Sequence, residues 1–216
     1  MKLSGGEKED EIVVGNVFDK YGSNNPIVNW IMNGFNSSLS EFISRVDPST
    51  IHEVGCGEGF WVLTWLQKGI STRGSDFSVK VIEIARQNAM SQNMDPSVFS
   101  IQSIYELEAR QHSADLIVCC EVLEHLEEPE QALASLQRIT KKNLILSVPR
   151  EPLWRILNMA RGKYISSWGN TPGHIQHWSS RKFVELVSQY FTIVAIKKPL
   201  PWTMLLCQPI SKQNIE

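Results

Sequence analysis

Residues 51–60 read Ile-His-Glu-Val-Gly-Cys-Gly-Glu-Gly-Phe, a short apolar strand that runs into a glycine-rich turn with a helix opening behind it. Gly55, Gly57 and Gly59 let the backbone bend sharply, and they let a ligand approach where a Cβ would stand in the way. Strand, glycine turn and helix in that order predict a mononucleotide-like cofactor outside the carboxyl end of the first strand. Glu53, inside the strand, argues against a diphosphate. Its carboxylate would repel one but suits a ligand carrying an amine or a positive centre. The lysine and Ser/Thr of a phosphate-binding P-loop are missing as well.

The pattern on either side of this stretch predicts one fold. Met1 to Glu11 is polar and glycine-containing and reads as a loose tail. Ile27, Trp30, Ile31, Phe35, Leu39, Phe42 and Val46 recur near helical spacing, while Asn33, Gly34, Asn36, Ser37 and Ser38 weaken the middle. Two short helices are expected there rather than one. Downstream, strands are expected at Ile70 to Ser75, Val98 to Ile101, Asp115 to Cys119 and Leu144 to Val148. Helices are expected at Phe60 to Gln67, Ser78 to Ser91 and Pro129 to Ile139. Such alternation builds a parallel sheet covered by helices on both faces. Glu151 to Thr171 breaks the rhythm and reads as a helical insertion with a loop. A helix at Ser180 to Gln189 and strands at Phe191 to Ile196 and Trp202 to Cys207 close the chain, the last two antiparallel. Residues 1–48 form a tail and helical cap, and 49–210 form the main domain with its lid-like insertion at about 150–173.

Composition narrows the setting. The chain has 216 residues, 42% hydrophobic and 20% charged, with a formal net charge of -2. That length suits one packed domain with an extension. The near balance of 21 basic and 23 acidic residues gives no general reason for a nucleic-acid partner. Cys56, Cys119, Cys120 and Cys207 form no CxxC pair, so buried thiols in a reducing compartment are expected rather than disulfides or a zinc site. No apolar run reaches the roughly 18 residues that span a bilayer, and no signal-like region opens the chain. A cytoplasmic protein without integral membrane association is expected.

Three motifs carry a family resemblance. Glu-Val-Gly-Cys-Gly-Glu-Gly at 53–59, Gly-Ser-Asp-Phe-Ser at 74–78 and Cys-Cys-Glu-Val-Leu-Glu-His-Leu at 119–126 stand in order. Together they resemble the class I S-adenosylmethionine-dependent methyltransferases over about Val46 to Pro149. Glu-Val-Leu-Glu-His-Leu followed by Pro129 is most similar to the ubiquinone/menaquinone-biosynthesis-like small-molecule members. The resemblance implies an α/β, Rossmann-like fold with a seven-stranded, mostly parallel sheet, one antiparallel strand and helices on both faces. It also implies S-adenosyl-L-methionine as cofactor. It says little about the acceptor.

Each motif also has a physical reading. Asp76 closes the second strand some twenty residues past the glycine turn, where its two oxygens can accept both ribose hydroxyls. Its alternative is a turn or helix-capping residue, a role Ser78 can fill instead. The resemblance sets Phe77 against the adenine, with Ser103, Ile104 and Tyr105 across from it near Gln102. It gives Glu53, Cys120 and Glu121 to the methionine part; Glu53 could instead orient the Gly55 loop. Cys56 reads as a small turn residue, since transfer from a sulfonium needs no covalent enzyme intermediate.

His125 lies beyond the fourth strand and His174 and His177 lie in Gly-His-Ile-Gln-His-Trp-Ser at 173–179, all at the carboxyl end of the sheet. They are the candidate bases for removing an acceptor proton, His125 first. The structural alternatives are a helix-start residue for His125 and a packed loop for the others, with Ser179 capping the next helix. Trp30, Trp154 and Tyr164, together with Arg161 and Lys163, suit an aromatic or lipophilic small molecule bearing an anion. The expected activity is small-molecule O-methylation with a histidine base and no metal, with homodimer formation left open. One alternative is metal-assisted 2′-O-methylation of an RNA 3′-terminal ribose, because Glu121, Glu124, His125 and His174 or His177 resemble, in outline, the metal ligands of such enzymes. The other is a non-catalytic, cofactor-binding regulatory protein.

Overall fold

A computed structural model describes residues 1–5, 8–9, 12–13, 15 and 24–210. In chain order the strands are β1 (Lys8–Glu9), β2 (Ile12–Val13), β3 (Thr50–Val54), β4 (Ser71–Asp76), β5 (Phe99–Ile101), β6 (Ala114–Cys120), β7 (Thr140–Pro149), β8 (Phe191–Lys197) and β9 (Trp202–Pro209). The helices are α1 (Pro26–Val46), α2 (Phe60–Gln67), α3 (Val79–Ser91), α4 (Ala109–His112), α5 (Pro129–Ile139), α6 (Leu153–Ala160) and α7 (Ser180–Val187). β1 and β2 pair as a short antiparallel hairpin, and the other strands form one seven-stranded sheet in the order β5-β4-β3-β6-β7-β9-β8. β9 is antiparallel to both of its neighbours, while the remaining pairs are parallel.

The core follows from the period of two along each strand. In β6, Leu116 and Val118 face α1 and the two tryptophans of α2, Trp61 and Trp65. Ile117 and Cys119 face the opposite layer, where α5 buries Ala132, Leu133, Leu136 and Ile139 beside Phe183 and Val187 of α7. A sheet covered on both faces needs such unbroken apolar runs, and β6 and β7 supply them. The strand order reverses between β3 and β6, so a crevice opens outside their carboxyl ends, where such folds bind ligands.

Two sequence expectations require correction. α1 is one helix rather than two. Asn25 caps it through its side chain, and Met32, Phe35, Leu39, Phe42 and Ile43 form an unbroken buried face. Asn33, Gly34 and Ser37 fall on the exposed side, so packing outweighs their poor helix propensity. The tail is the second case. Its described opening residues are tied down: Lys2 exchanges two hydrogen bonds with the Asn88 side chain, its N–H donating to Oδ1 at 2.8 Å and its carbonyl accepting from Nδ2 at 3.0 Å. Residues 6, 7, 10 and 11, also expected in the loose tail, lie outside the described residues.

The insertion after β7 is α6 followed by a loop that projects from the fold. Residues 160–168 are exposed, whereas Asn158 and Gly169 at its base are buried. Asn158 Nδ2 donates to the carbonyl of Gly169 at 2.9 Å and to Thr171 Oγ1 at 3.1 Å. A Cβ on Gly169 would stand 2.3 Å from the carbonyl oxygen of Arg155, so the base closes only around glycine.

Candidate active site

The first half of the site is the glycine turn. Gly55, Gly57 and Gly59 all have positive φ, of 75°, 53° and 84°. A Cβ on Gly55 would lie 2.3 Å from Val122 of the loop after β6, so the turn and that loop close on each other only through glycine. At Gly57 the position of a Cβ has no heavy atom within 4 Å, which leaves open space above the turn. Asp76 borders that space. Its Oδ2 accepts the Gly57 N–H and its Oδ1 the Ser78 N–H, both at 3.1 Å. Burial raises the Asp76 pKa above the ordinary carboxylate range, opposed by the Ser78 and Gly57 amides that favour the charged form. Ser78 caps α3 by accepting the Val81 N–H, so Asp76 is not needed as a cap.

The residues flanking this space suit a nucleoside. Phe77 is half exposed. Ser103 caps the short turn at Ile104–Glu106 by accepting the Tyr105 N–H, and Ile104 is buried among the core residues. Gln102 donates its N–H to the carbonyl of Asp76 at 2.8 Å, which joins the two strand ends. An open glycine turn, a carboxylate with two oxygens held from behind and an exposed aromatic ring therefore fit an adenosyl group. Cys56 is buried in the turn, and burial, with Asp76 and Glu53 nearby, pushes its thiol well above the ordinary value. It is no nucleophile. Glu53 is buried at the end of β3, level with Gly74 and Val118 on the adjoining strands.

The second half of the site is built by two loops laced together. The carbonyl of Glu124 accepts the N–H groups of Ile175 and Gln176 at 2.9 and 3.0 Å. Gln176 Nε2 donates to the carbonyl of Leu126, and His125 Nδ1 donates to the carbonyl of Gly173 at 2.9 Å. The His125 and His174 rings meet edge to face, 4.8 Å between centroids. His174 stacks at 5.8 Å on Trp154, which lies 5.9 Å from Trp202. Trp154 Nε1 donates to Thr171 Oγ1, so the insertion supplies part of this wall.

Protonation states follow from the packing. Burial brings the His174 pKa down to about 3, with His125 and His177 adding to the effect, so His174 is neutral. Burial also lowers His177, with Arg155 contributing, and its Nε2 donates to Asn170 Oδ1 at 2.7 Å. His125 is the exposed member of the three. Its bond to Gly173 puts the Nδ1 proton on the carbonyl side, and the neutral ring then carries its lone pair on Nε2.

Glu121 stands between the two halves. It adopts a left-handed φ of 60°, a strained conformation for a side-chain-bearing residue, and its N–H donates to the carbonyl of Ser147. Ser147 Oγ donates to Oε1, and Trp202 Nε1 donates to Oε2. Trp202, on the final strand, was invisible to motif reading because its only signal is pairing across β7. Cys120 adjoins Ser147 and is raised by burial. Glu124, His125 and His174 bring one ligand atom each to within 4.8 Å of one another, a grouping that could hold a cation and includes neither Glu121 nor His177. Trp30, on α1, and Tyr164, on the projecting loop, are 65% and 38% exposed.

This fold and this glycine-turn crevice are those of the class I methyltransferase fold. A family model described as "Methyltransferase domain" matches residues 52–148. Ubiquinone biosynthesis O-methyltransferase of Nitrosomonas europaea is 26% identical over 105 residues, covering 48% of this chain and 44% of its own. The mitochondrial protein of that name from Schizosaccharomyces pombe is 29% identical over 144 residues, covering 60% and 52%. The chain thus spans about half the length of these curated relatives. Among solved structures, magnesium protoporphyrin IX methyltransferase from Synechocystis with bound SAH superposes with a TM-score of 0.65 at 20% identity, over 88% of this chain and 90% of that one. The chain has the fold of the class I S-adenosylmethionine-dependent methyltransferases, and its residues 52–148 are similar to the methyltransferase domain of the ubiquinone-biosynthesis O-methyltransferases.

Proposed function

We propose that the chain transfers the methyl group of S-adenosyl-L-methionine to a hydroxyl oxygen of a small molecule, with His125 as the base. The donor supplies a methyl group already activated on a sulfonium. Asp76 accepts from the ribose hydroxyls, Phe77 lies against the adenine near Ser103 and Ile104, and Gly55, Cys56, Gly57 and Gly59 shape the turn. Glu53, Cys120 and Glu121 surround the methionine end. The acceptor hydroxyl delivers its proton to Nε2 of His125 as its oxygen bonds the methyl carbon and the carbon–sulfur bond breaks.

The observation that carries this reading is the His125 bond to Gly173, which orients the ring and sets its tautomer. His174 supports the ring as a neutral neighbour, and His177 holds the same loop through Asn170. Trp154 and Trp202 give the acceptor side an aromatic wall, which suits a flat or lipophilic acceptor. Trp30 and Tyr164 are outer contacts for the remainder of such a molecule. The test is release of S-adenosylhomocysteine on incubation with phenolic, carboxylic and amine acceptors. Turnover confined to amines would overturn the oxygen assignment.

A second reading rests on the grouping of Glu124, His125 and His174. A divalent cation held there would lower the pKa of an acceptor hydroxyl and replace the base, as metal-assisted ribose 2′-O-methylation of an RNA terminus requires. Transfer to an RNA 3′ end that stops on chelation and returns with Mn²⁺ supports it.

A further inference from the structure

The glycine turn is gripped from outside by the start of the chain. Glu58, between Gly57 and Gly59, is 1% exposed. Its Oε1 accepts the Ser4 N–H at 3.1 Å and the Ser4 hydroxyl at 2.8 Å. Its carbonyl accepts from Asn88 Nδ2 at 3.0 Å, and the same Asn88 amide pairs with both backbone groups of Lys2. Gly15 approaches the same spot. A Cβ there would lie 2.5 Å from Glu58 Oε1 and 2.4 Å from Ser4 Oγ. Glu58 is thus fixed by side chain and backbone together, and two separate points of the N-terminal segment converge on it.

We infer that Glu58, Ser4 and Asn88 are positioning residues for the cofactor: by clasping the N-terminal segment to the glycine turn they hold it in its ligand-binding shape. The inference rests on the cofactor reading of that turn. A turn with three glycines at positive φ has many other conformations open to it, and freezing it costs entropy. The clasp meets that cost before the ligand arrives, which is pre-organisation. The link to the ligand is short. The Gly57 N–H, one residue from Glu58, is the donor that holds Asp76 Oδ2 in place for the ribose. A buried carboxylate also needs its hydrogen bonds, so losing the two from Ser4 weakens the hold on Glu58 and on the turn that carries it.

Coupling of this kind is reciprocal: if the clasp tightens ligand binding, the ligand must tighten the clasp by the same factor. Ser4→Pro in the full chain removes the two hydrogen bonds that Ser4 gives Glu58 and leaves every residue of the sheet and helices unchanged. Ser4→Thr keeps both. Calorimetry with S-adenosylhomocysteine is expected to show Kd raised about tenfold in Ser4→Pro, matching the typical size of coupling between sites, and unchanged in Ser4→Thr. In the unaltered chain, hydrogen exchange of the Ser4 amide is expected to slow on adding S-adenosylhomocysteine. An unchanged Kd in Ser4→Pro, or Ser4 exchange indifferent to the ligand, would overturn the inference while leaving the cofactor reading intact. No binding by the unaltered chain would remove both.

Discussion

His125 reaches across from the loop after β6 and donates its Nδ1 proton to the carbonyl of Gly173, 48 residues further along the chain. With the Glu124 and Leu126 carbonyls that accept from Ile175 and Gln176, that bond ties together the two loops that carry the three candidate histidines. Gly173 has a φ of +87°, and a Cβ on it would sit 3.4 Å from His125 Nδ1. The geometry needs a residue without a side chain at that point. With Nδ1 committed to the carbonyl, the neutral imidazole can take a proton only on Nε2.

Removing the ring therefore separates chemistry from binding. His125→Ala is expected to lower kcat by roughly 100-fold or more, the typical loss of a positioned general base. The affinity for S-adenosylhomocysteine is expected to stay within twofold of the original, since the ring bonds Gly173 and packs on His174 in the acceptor-side loop. Steady-state kinetics and calorimetry on the same preparation check both halves. Turnover equal to the unaltered chain would remove His125 as the base.

Asp76→Asn gives the opposite split. The carboxylate meets two backbone donors with two acceptor oxygens. An amide presents one acceptor, so its NH₂ must face a donor or turn toward the ligand. Loss of a hydrogen bond to a charged group costs about 1.5–3 kcal/mol, or roughly 10- to 150-fold in affinity. The KM for the methyl donor is expected to rise by that factor, with kcat at saturating donor changed little. A fall confined to kcat would move Asp76 out of the cofactor site.

Most of the sheet was readable because β-strands buried on both faces carry unbroken apolar runs, and Leu116 to Cys119 is such a run. The cofactor end was readable for a related reason. Its residues sit within a few positions of strand ends, so local order sets their place in space. α1 was misread because Asn33 and Ser37 weaken a local pattern while the buried stripe through Phe35 and Leu39 holds it. Glu121 with Trp202, and Glu58 with Ser4, were beyond reach. Each pair joins residues far apart in sequence, and neither Ser4 nor Trp202 carries a local signal. The Asn158–Gly169 tie that closes the base of the insertion joins residues 11 apart, which spacing does not reveal.

Two buried histidines make the fold sensitive to acid. His52 lies in β3, with one ring nitrogen on Ser75 Oγ at 2.9 Å and the other on the carbonyl of His112 at 2.8 Å. Burial takes its pKa down to about 4, and takes that of His174 to about 3. Both folded values lie below the unfolded one of 6.5, so the unfolded chain binds more protons as the pH falls. Stability is complete above pH 6.5 and is lost from there down to the folded values. Each histidine contributes a slope of about 1.4 kcal/mol per pH unit inside its window. Urea melts at pH 7.5, 6 and 5 are expected to show that decline, and His174→Asn to make it shallower. Equal stability at pH 7.5 and 5 would mean that these rings are not buried in their neutral form.

Chelation discriminates the two readings of the acceptor side. Glu124, His125 and His174 are close enough to share an ion, and His125 is the proposed base. One imidazole cannot both bind a cation through Nε2 and take the acceptor proton there. If His125 is the base, exhaustive chelation is expected to leave turnover unchanged, and added Zn²⁺, which imidazole binds well, to inhibit. Glu124→Gln would then relieve the inhibition by weakening the ion's site while sparing the ring. If the cation replaces the base, chelation abolishes turnover, Mn²⁺ restores it, and Glu124→Gln raises the concentration of Mn²⁺ required. The response of Glu124→Gln to added ion thus separates a carboxylate that merely neighbours the base from one that holds the metal.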